Sequence, residues 1–575
     1  MGAFHLIKPY FLQRRGIICI GIACLMVVDV LQLFIPRVVK WAVDELTAGT
    51  IDMAGLGRYA GMIAIIAAFM TVLRFFWRRL LIGTSRVVEE GLRNRLFSHV
   101  QTLSSAYFDQ RSTGDLMAHA TNDINNVRMA VGMGMVALTD AIFLGSAAIG
   151  FMAYIDIRLT ALALIPMPVI AVFTRIFGRK MHRLYTRVQA TFSDMTEIVR
   201  ESFSGIRMVK AYNREETEYA RLKSVSNNYI ADNIKLVNIT GSFFPMMVFF
   251  TNVSLTIVVF FGGRLTIAKN ITPGDFVAFI SYLNMLTWPM MALGWLTNLI
   301  QRGSASLDRI NTILSAEPEI RDRADARRLP ECRGRLSFEN VRFSYPKSSA
   351  PAIDGLDLEV APGDTVGIVG PQGCGKTTLL NLIFRRYDVS EGAIRLDGTN
   401  IRNLKLSDLR SRIAHVPQEP YLFSGTIRDN ITFGRPVDEN KLHRAAQMAA
   451  LEETIQMFPR GFDTPVGERG VVLSGGQKQR IVLARALLIN APILLLDDPV
   501  GQVDTETAAG IISVIRELAR EKTVLIVSHR IPAVSFADRI IVLQEGRIAE
   551  SGTHAELAAK DGYYARTEFL QRYEE

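Results

Sequence analysis

The sequence predicts two unlike halves: an α-helical membrane domain of six transmembrane helices with long cytoplasmic extensions, then a parallel α/β domain. Three observations predict this. Apolar residues make up 49% of the 575 residues and mean hydropathy is +0.19, although 21% are charged, so the apolar surplus must be segregated. It lies before about residue 300, in runs long enough to cross a hydrocarbon core of ~30 Å at ~1.5 Å per residue. Beyond it, short β-rich segments such as "RLSFENVRFSY" and "DTVGIVG" alternate with helical ones, the grammar of a parallel sheet. A chain of this length exceeds one core. We place the membrane domain at 1–315, a polar linker with prolines 318 and 330 at 316–334, and the α/β domain at 335–575.

Spans are expected near 16–36, 59–82, 131–154, 158–177, 241–263 and 275–299, with prolines 166 and 168 interrupting the fourth. The first run, Ile17 to Ile35, has no small-residue cleavage site and continues into Pro36, so it reads as a span rather than a cleavable leader. The connections alternate in length and charge. Arg74 to Arg128 holds eight Lys/Arg and Arg175 to Lys235 holds twelve, whereas the turn "YIDIRL" has one. Basic loops stay in the cytoplasm, which places both long loops and both termini inside. Val88, Leu92, Leu96, Val100 and Leu103 recur at helical spacing, so the first long loop is helical. The chain is expected to reverse at "STGDLMAHATND" and near "SGIRMVKAYNRE", giving membrane helices that run on into the cytoplasm and transmit movement.

Three polar residues sit at depth in the spans: Asp29, Asp140 and Asn252. An ionisable group there faces a cavity or a partner. Lining a substrate cavity and packing the bundle both remain open for them. The net charge of +9 is spread over loops without aromatic interleaving, which favours a lipid surface and excludes nucleic acid as partner. Cys19, Cys24, Cys332 and Cys374 show neither a disulfide framework nor metal-ligand spacing.

Chemistry concentrates in the C-terminal half. "GPQGCGKTT" (Gly370, Pro371, Gln372, Gly373, Cys374, Gly375, Lys376, Thr377, Thr378) follows a strand and opens a helix, as a phosphate loop requires. Its glycines let backbone amides curl round phosphates, Lys376 reaches the β and γ oxygens, and the Thr377 hydroxyl is a Mg2+ ligand. "ILLL" ends in Asp497, a second carboxylate on the magnesium side. "LSGGQKQR" puts Ser474, Gly475, Gly476 and Gln477 at a helix start, presenting bare amides to an anion. That helix cannot easily serve its own phosphate loop, so it points to a nucleotide held by another subunit.

With these motifs in this order, essentially the whole chain resembles an ABC transporter of the exporter type: six spans, then one α/β P-loop NTPase domain of ABC type. The resemblance implies ATP and Mg2+ as cofactors. It implies that Tyr345 in "VRFSYP" stacks on adenine and that Gln418 in "HVPQEP" senses magnesium. Glu468 in "TPVGERG" would touch the coupling loops, Asp504 would sit in a D-loop that reaches across the dimer, and His529 in "IVSHR" would contact the γ-phosphate. It also implies a dimer with a second half-transporter in the cytoplasmic (inner) membrane, and a small hydrophobic or amphipathic substrate, drug or lipid.

One position departs. The residue after Asp497 is Asp498, where fast sites of the family carry glutamate, and "VGQVD" follows where the pattern is nearer Ser-Ala-Leu-Asp. Intrinsic acidities differ by only ~0.4 unit, so reach matters more than basicity. A carboxylate withdrawn by ~1 Å can cost ~100-fold in rate. A slow site beside an intact signature points to a heterodimer. The rivals are a homodimeric lipid or lipopolysaccharide-precursor flippase and an ATP-gated regulatory or channel-type subunit.

Overall fold

The computed structural model describes residues 3–574 apart from 347, 349, 468–469 and 471–472. It divides into two compact units, Met1–Gln101 with Thr113–Ala316, and Thr102–Ser112 with Glu317–Glu575.

The first unit is helical. Among the described residues five helices are long and apolar enough to cross a membrane: α1 (Arg15–Thr47), α2 (Met53–Val100), α3 (Thr113–Ile155), α4 (Ile157–Ser204) and α5 (Glu215–Ile267). The sixth expected span is instead divided at Leu286 into α6 (Pro273–Met285) and α7 (Thr287–Leu314). Thr272 caps α6 through a capping box and Pro273 opens it, the position where a missing N–H costs nothing. In α4 the prolines do not end the helical path: Pro166 takes a first-turn position after a break at Ile165. Within α1, Pro36 removes one rung, and the nearby Leu33 carbonyl accepts from the buried Tyr282 hydroxyl at 3.0 Å. At the other end of α1, Asp44 accepts from the Gly274 N–H at 2.8 Å and Lys40 pairs with Asp275 at 2.5 Å, fastening α1 to the start of α6.

Helices α4 and α5 pair along their length, and toward the polar ends Asp232 receives Arg187 at 2.9 Å and Lys235 at 3.1 Å. Their reversal falls where expected, through the short helix Ile206–Ala211. The other reversal comes earlier than expected. Helix α3 already begins at Thr113, and the turn is made by residues 102–112 around the helix Ser105–Asp109, because the "STGD" segment starts a helix rather than ending one.

A π-helical turn, His119–Asp123, interrupts the extension of α3 and brings Asp123 against α7. Asp123 accepts from His119 Nδ1 at 2.6 Å, from Ser306 Oγ at 2.8 Å and from Arg309 Nε at 3.0 Å. Burial disfavours its charge, but the hydrogen bonds from Arg309, His119 and Ser306 outweigh that and hold its carboxyl below the ordinary range. Its contribution is therefore complete above a carboxylate pKa of ~4 and is lost as pH falls through the depressed value. Asp123→Asn should cost about 2 kcal/mol at neutral pH, and the gap from wild type should close on acidification. Thermal melting at pH 7 and pH 3 measures both. A gap that does not change with pH would contradict this.

Among the described residues the second unit holds a six-stranded sheet in the order β10 (Arg547–Gly552), β9 (Arg539–Gln544), β3 (Thr365–Val369), β8 (Thr523–Val527), β7 (Ile493–Asp497), β6 (Ile413–Val416). It also holds a four-stranded sheet in the order β2 (Ile353–Val360), β1 (Leu336–Phe343), β4 (Glu391–Leu396), β5 (Thr399–Asn400). Strands β3 (Thr365–Val369), β7 (Ile493–Asp497) and β8 (Thr523–Val527) are buried along their whole length, which is why they read as apolar runs. They are neighbours and parallel, with β3 beside β8 and β8 beside β7. The carboxyl ends of three segments far apart in sequence thus meet at one edge, where open parallel sheets bind ligands. Strand β1 (Leu336–Phe343) belongs to the smaller sheet, and β6 (Ile413–Val416) is the last strand beside β7. The helix Ser105–Asp109 belongs to this unit: Ala106 is in its core, and the Tyr387 hydroxyl donates to Asp109 at 2.7 Å.

Candidate nucleotide site

The loop after β3 leads into α8 (Lys376–Ile383), capped by Gly375. Gly375 has φ of 105°, and a Cβ there would lie 2.3 Å from the Ala352 carbonyl, so the turn needs glycine. Lys376 is nearly buried, and its ammonium donates to the Gly370 and Pro371 carbonyls at 2.8 Å each. The cation is thereby held inside the curl of the loop, beside an open cavity of about 600 Å³.

That cavity brings together most of the expected residues. Tyr345, Gln372, Gly373, Gly375, Lys376, Thr377, Thr378, Gln418, Asp497, Asp498 and His529 all line it. Tyr345 follows β1, Gln418 follows β6, the aspartates end β7 and His529 follows β8. The Tyr345 hydroxyl and Thr378 Oγ1 are 3.0 Å apart, and the Tyr345 ring meets Tyr387 edge-on at 5.4 Å. Thr377 lines the cavity beside the Asp497 carboxylate. Asp497 is pushed upward by burial, with the Asp498 charge adding to it and Thr377 and Lys376 opposing. His529 is pushed downward by burial and by the Lys376 charge, against the opposing pull of Asp498, so its ring is neutral at neutral pH.

Cys374 departs from expectation. Its side chain is 5% exposed and packs in the core with Leu379, Val366 and Ile368 rather than lining the cavity, because the loop turns this position inward. A maleimide should therefore reach Cys374 slowly with or without nucleotide, which a thiol-labelling time course checks. Labelling of Cys374 in the folded protein as fast as in the denatured protein would contradict this packing.

The signature residues lie elsewhere. Ser474 caps α9 (Gly475–Leu488) through a capping box in which its Oγ accepts from the Gln477 N–H at 3.3 Å and its own N–H donates to Gln477 at 3.0 Å. Asp504 caps α10 (Thr505–Leu518), accepting from the Thr507 N–H at 2.9 Å. None of Ser474, Gly475, Gly476, Gln477 and Asp504 lines the cavity. Glu468 lies outside the described residues.

Four residues that sequence reading missed organise this edge. The Asp498 N–H donates to the Val527 carbonyl at 2.8 Å, and the buried Ser528 hydroxyl donates to Asp498 Oδ1 at 3.0 Å. Gln479 donates to the Asp498 carbonyl at 2.5 Å and accepts from the Gln502 N–H at 3.0 Å, joining the signature helix to the segment after β7. Gln571 donates to the His529 carbonyl at 2.6 Å and accepts from the Ile531 N–H at 2.8 Å, clamping the loop after β8. Tyr387 joins the Tyr345 ring to Asp109.

In the membrane unit Asp29 is 3% exposed with Oδ2 unpartnered, Asp140 has a buried unpartnered Oδ1 at the start of a second π-helical turn, and Asn252 is exposed. The segments carrying Asp29 and Asp140 pack together.

A parallel sheet with a phosphate-type loop after its central strand, carboxylates at the end of a nearby strand and long apolar helices before it defines a membrane-bound nucleotide-driven machine. The model for the ABC transporter transmembrane region matches residues 18–290, and the ABC transporter model matches residues 353–501. The chain is 38% identical to the probable multidrug resistance ABC transporter ATP-binding/permease protein YheI of Bacillus subtilis, over 97% of this chain and 95% of that one. It is 37% identical to the multidrug resistance-like ATP-binding protein MdlA of Escherichia coli, over 98% and 96%. An ATP-dependent lipid A-core flippase of Syntrophus aciditrophicus is 34% identical over 96% and 92%. Among solved structures, a bacterial Atm1-family ABC exporter with ATP bound matches with a TM-score of 0.80 at 27% identity, covering 98% of this chain and 99% of that one.

The chain belongs to the ABC transporter family, as an exporter half-transporter: a multi-pass membrane protein and transport ATPase that binds ATP and works as a dimer.

Proposed function

We propose that this chain is the slow-site subunit of a heterodimeric exporter that moves hydrophobic or amphipathic compounds, drugs or lipids, outward across the cytoplasmic membrane. The observation that carries this is the pairing of a short carboxylate, Asp498, at the hydrolytic position with a fully capped signature helix at Ser474. Relatives named for multidrug resistance and for lipid A-core flipping support the cargo class. Residues 1–315 form the membrane domain, 316–334 the linker and 335–575 the ATPase, with the ATPase and both termini cytoplasmic.

The cavity lining supports the following roles. Tyr345 offers its ring to adenine. Lys376 turns from the loop carbonyls to the β and γ phosphates. The oxygens of Thr377 and Asp497, which line the cavity together with Gln418, are the hard donors that would hold Mg2+. Bound Mg2+ supplies neutralisation of phosphate charge. Neutral His529 donates to the γ-phosphate. Ser474, Gly475, Gly476 and Gln477, with Asp504, serve the nucleotide held by the partner protomer. The link Tyr345–Tyr387–Asp109 runs from the adenine side of the site into the helix Ser105–Asp109, a path by which ATP binding moves the membrane helices.

The full chain purified alone should hydrolyse ATP at least tenfold more slowly than when purified with a half-transporter bearing glutamate after its strand-end aspartate. Equal turnover per chain would overturn the heterodimer reading, and failure to export an amphipathic dye into inverted vesicles would overturn the cargo class.

A further inference from the structure

The two departures around Asp498 are physically one feature. Ser528 Oγ accepts from the Arg530 N–H at 3.0 Å, so its single proton is committed to Asp498 Oδ1. The other carboxylate oxygen, Oδ2, lies only 2.2 Å from where a Cβ on Gly501 would stand. No side chain other than hydrogen at 501 is compatible with this rotamer. Gly501 stands where the Ser-Ala-Leu-Asp pattern has serine, and its missing side chain makes the hollow the carboxylate occupies. Asp498 is held by its backbone as well, through the Val527 carbonyl and Gln479.

We infer that Gly501 is a positioning residue that keeps the hydrolytic carboxylate folded back onto Ser528 and the D-loop, so that residues 498 and 501 set the rate of this site jointly. The inference rests on the slow-site reading above and supplies its cause. In hydrolysis the water oxygen attacks the γ-phosphorus, the bridging oxygen leaves with ADP, and a water proton moves toward the carboxylate. A carboxylate folded away cannot take that proton. A Cβ at 501 would expel it from the hollow, but aspartate would then still fall short. Glutamate alone would have the reach, yet the hollow and the Ser528 hydroxyl would still capture it. Only both changes together deliver a carboxylate to the water.

The test uses the full chain in its assembled transporter, with 8-azido-ATP crosslinked to this chain so that its own site is read separately. Asp498→Glu and Gly501→Ser should each raise γ-phosphate loss from this chain less than threefold. The double variant should exceed the product of the singles at least tenfold. An α-phosphate label should give unchanged crosslinking yield in all three, showing that hydrolysis rather than binding has moved. Gly501→Ala repeats the test if serine perturbs folding, since only the Cβ matters. If Asp498→Glu alone is as fast as the double variant, or the effects simply multiply, the inference is wrong while the slow site stands. If the wild-type chain loses its γ-phosphate as fast as its partner does, the slow-site reading itself fails.

Discussion

Gly476→Glu is expected to lower steady-state ATP turnover of the assembled transporter more than 100-fold, while Asp498→Asn in the same domain lowers it less than twofold. The contrast is expected because, in the proposed heterodimer, the two residues serve different nucleotides. Gly476 lies in the first turn of α9, where free N–H groups and the helix dipole favour an anion. Preorganised donors of this kind are worth ~100- to 1,000-fold each in rate. A Cβ at 476 already stands 3.0 Å from the Gln502 carbonyl and 3.2 Å from Val503, so a longer acidic side chain must project toward the partner's nucleotide or push the D-loop aside. Either outcome places negative charge or bulk where the γ-phosphate of the fast site should close. Asp498 lines this chain's own cavity, and its carboxylate is engaged with Ser528. A phosphate-release assay on the two purified variants checks the pair of values.

Lys376→Ala should weaken ATP binding at this chain's site at least tenfold, since the phosphates lose their nearest fixed cation and a charge-assisted hydrogen bond. The substitution also leaves the Gly370 and Pro371 carbonyls without the ammonium that now holds the loop in its curl. A second signature accompanies it: the Lys376 charge depresses His529, so its removal should let the His529 pKa rise toward the ordinary histidine value. Titration of a fluorescent ATP analogue, with the partner's site disabled and the melting temperature checked, measures the affinity. Unchanged affinity would contradict the site.

Much of this was legible in the sequence, for identifiable reasons. Strands β3, β7 and β8 announce themselves because both faces are buried; Asp497 ends β7, His529 follows shortly after β8 and Lys376 comes at the end of the loop after β3, so finding the strands located all three. The helical extension of α2 was visible through spacing such as Val88, Leu92 and Leu96, all buried. What escaped were contacts between residues of unremarkable chemistry. Gln479 and Asp498 are 19 positions apart, Gln571 and His529 are 42 apart, and nothing in a glutamine marks it as a clamp. The inward turn of Cys374 escaped because a loop has no period from which to read a side chain's direction. Gly501 was noticed only as a departure, since the close approach that gives it meaning exists in three dimensions. The break at Leu286 was hidden inside an apolar run that reads as one continuous span.

The most direct test of a protomer that binds ATP without consuming it is to follow the γ-phosphate on each chain during turnover. The assembled transporter is incubated with 8-azido-ATP labelled on either the α- or the γ-phosphate, photolysed at successive times and separated into its two chains. The account predicts that this chain keeps equal α and γ label over many turnovers, while the partner protomer keeps α and loses γ. Loss of γ label from this chain at the partner's rate would contradict it.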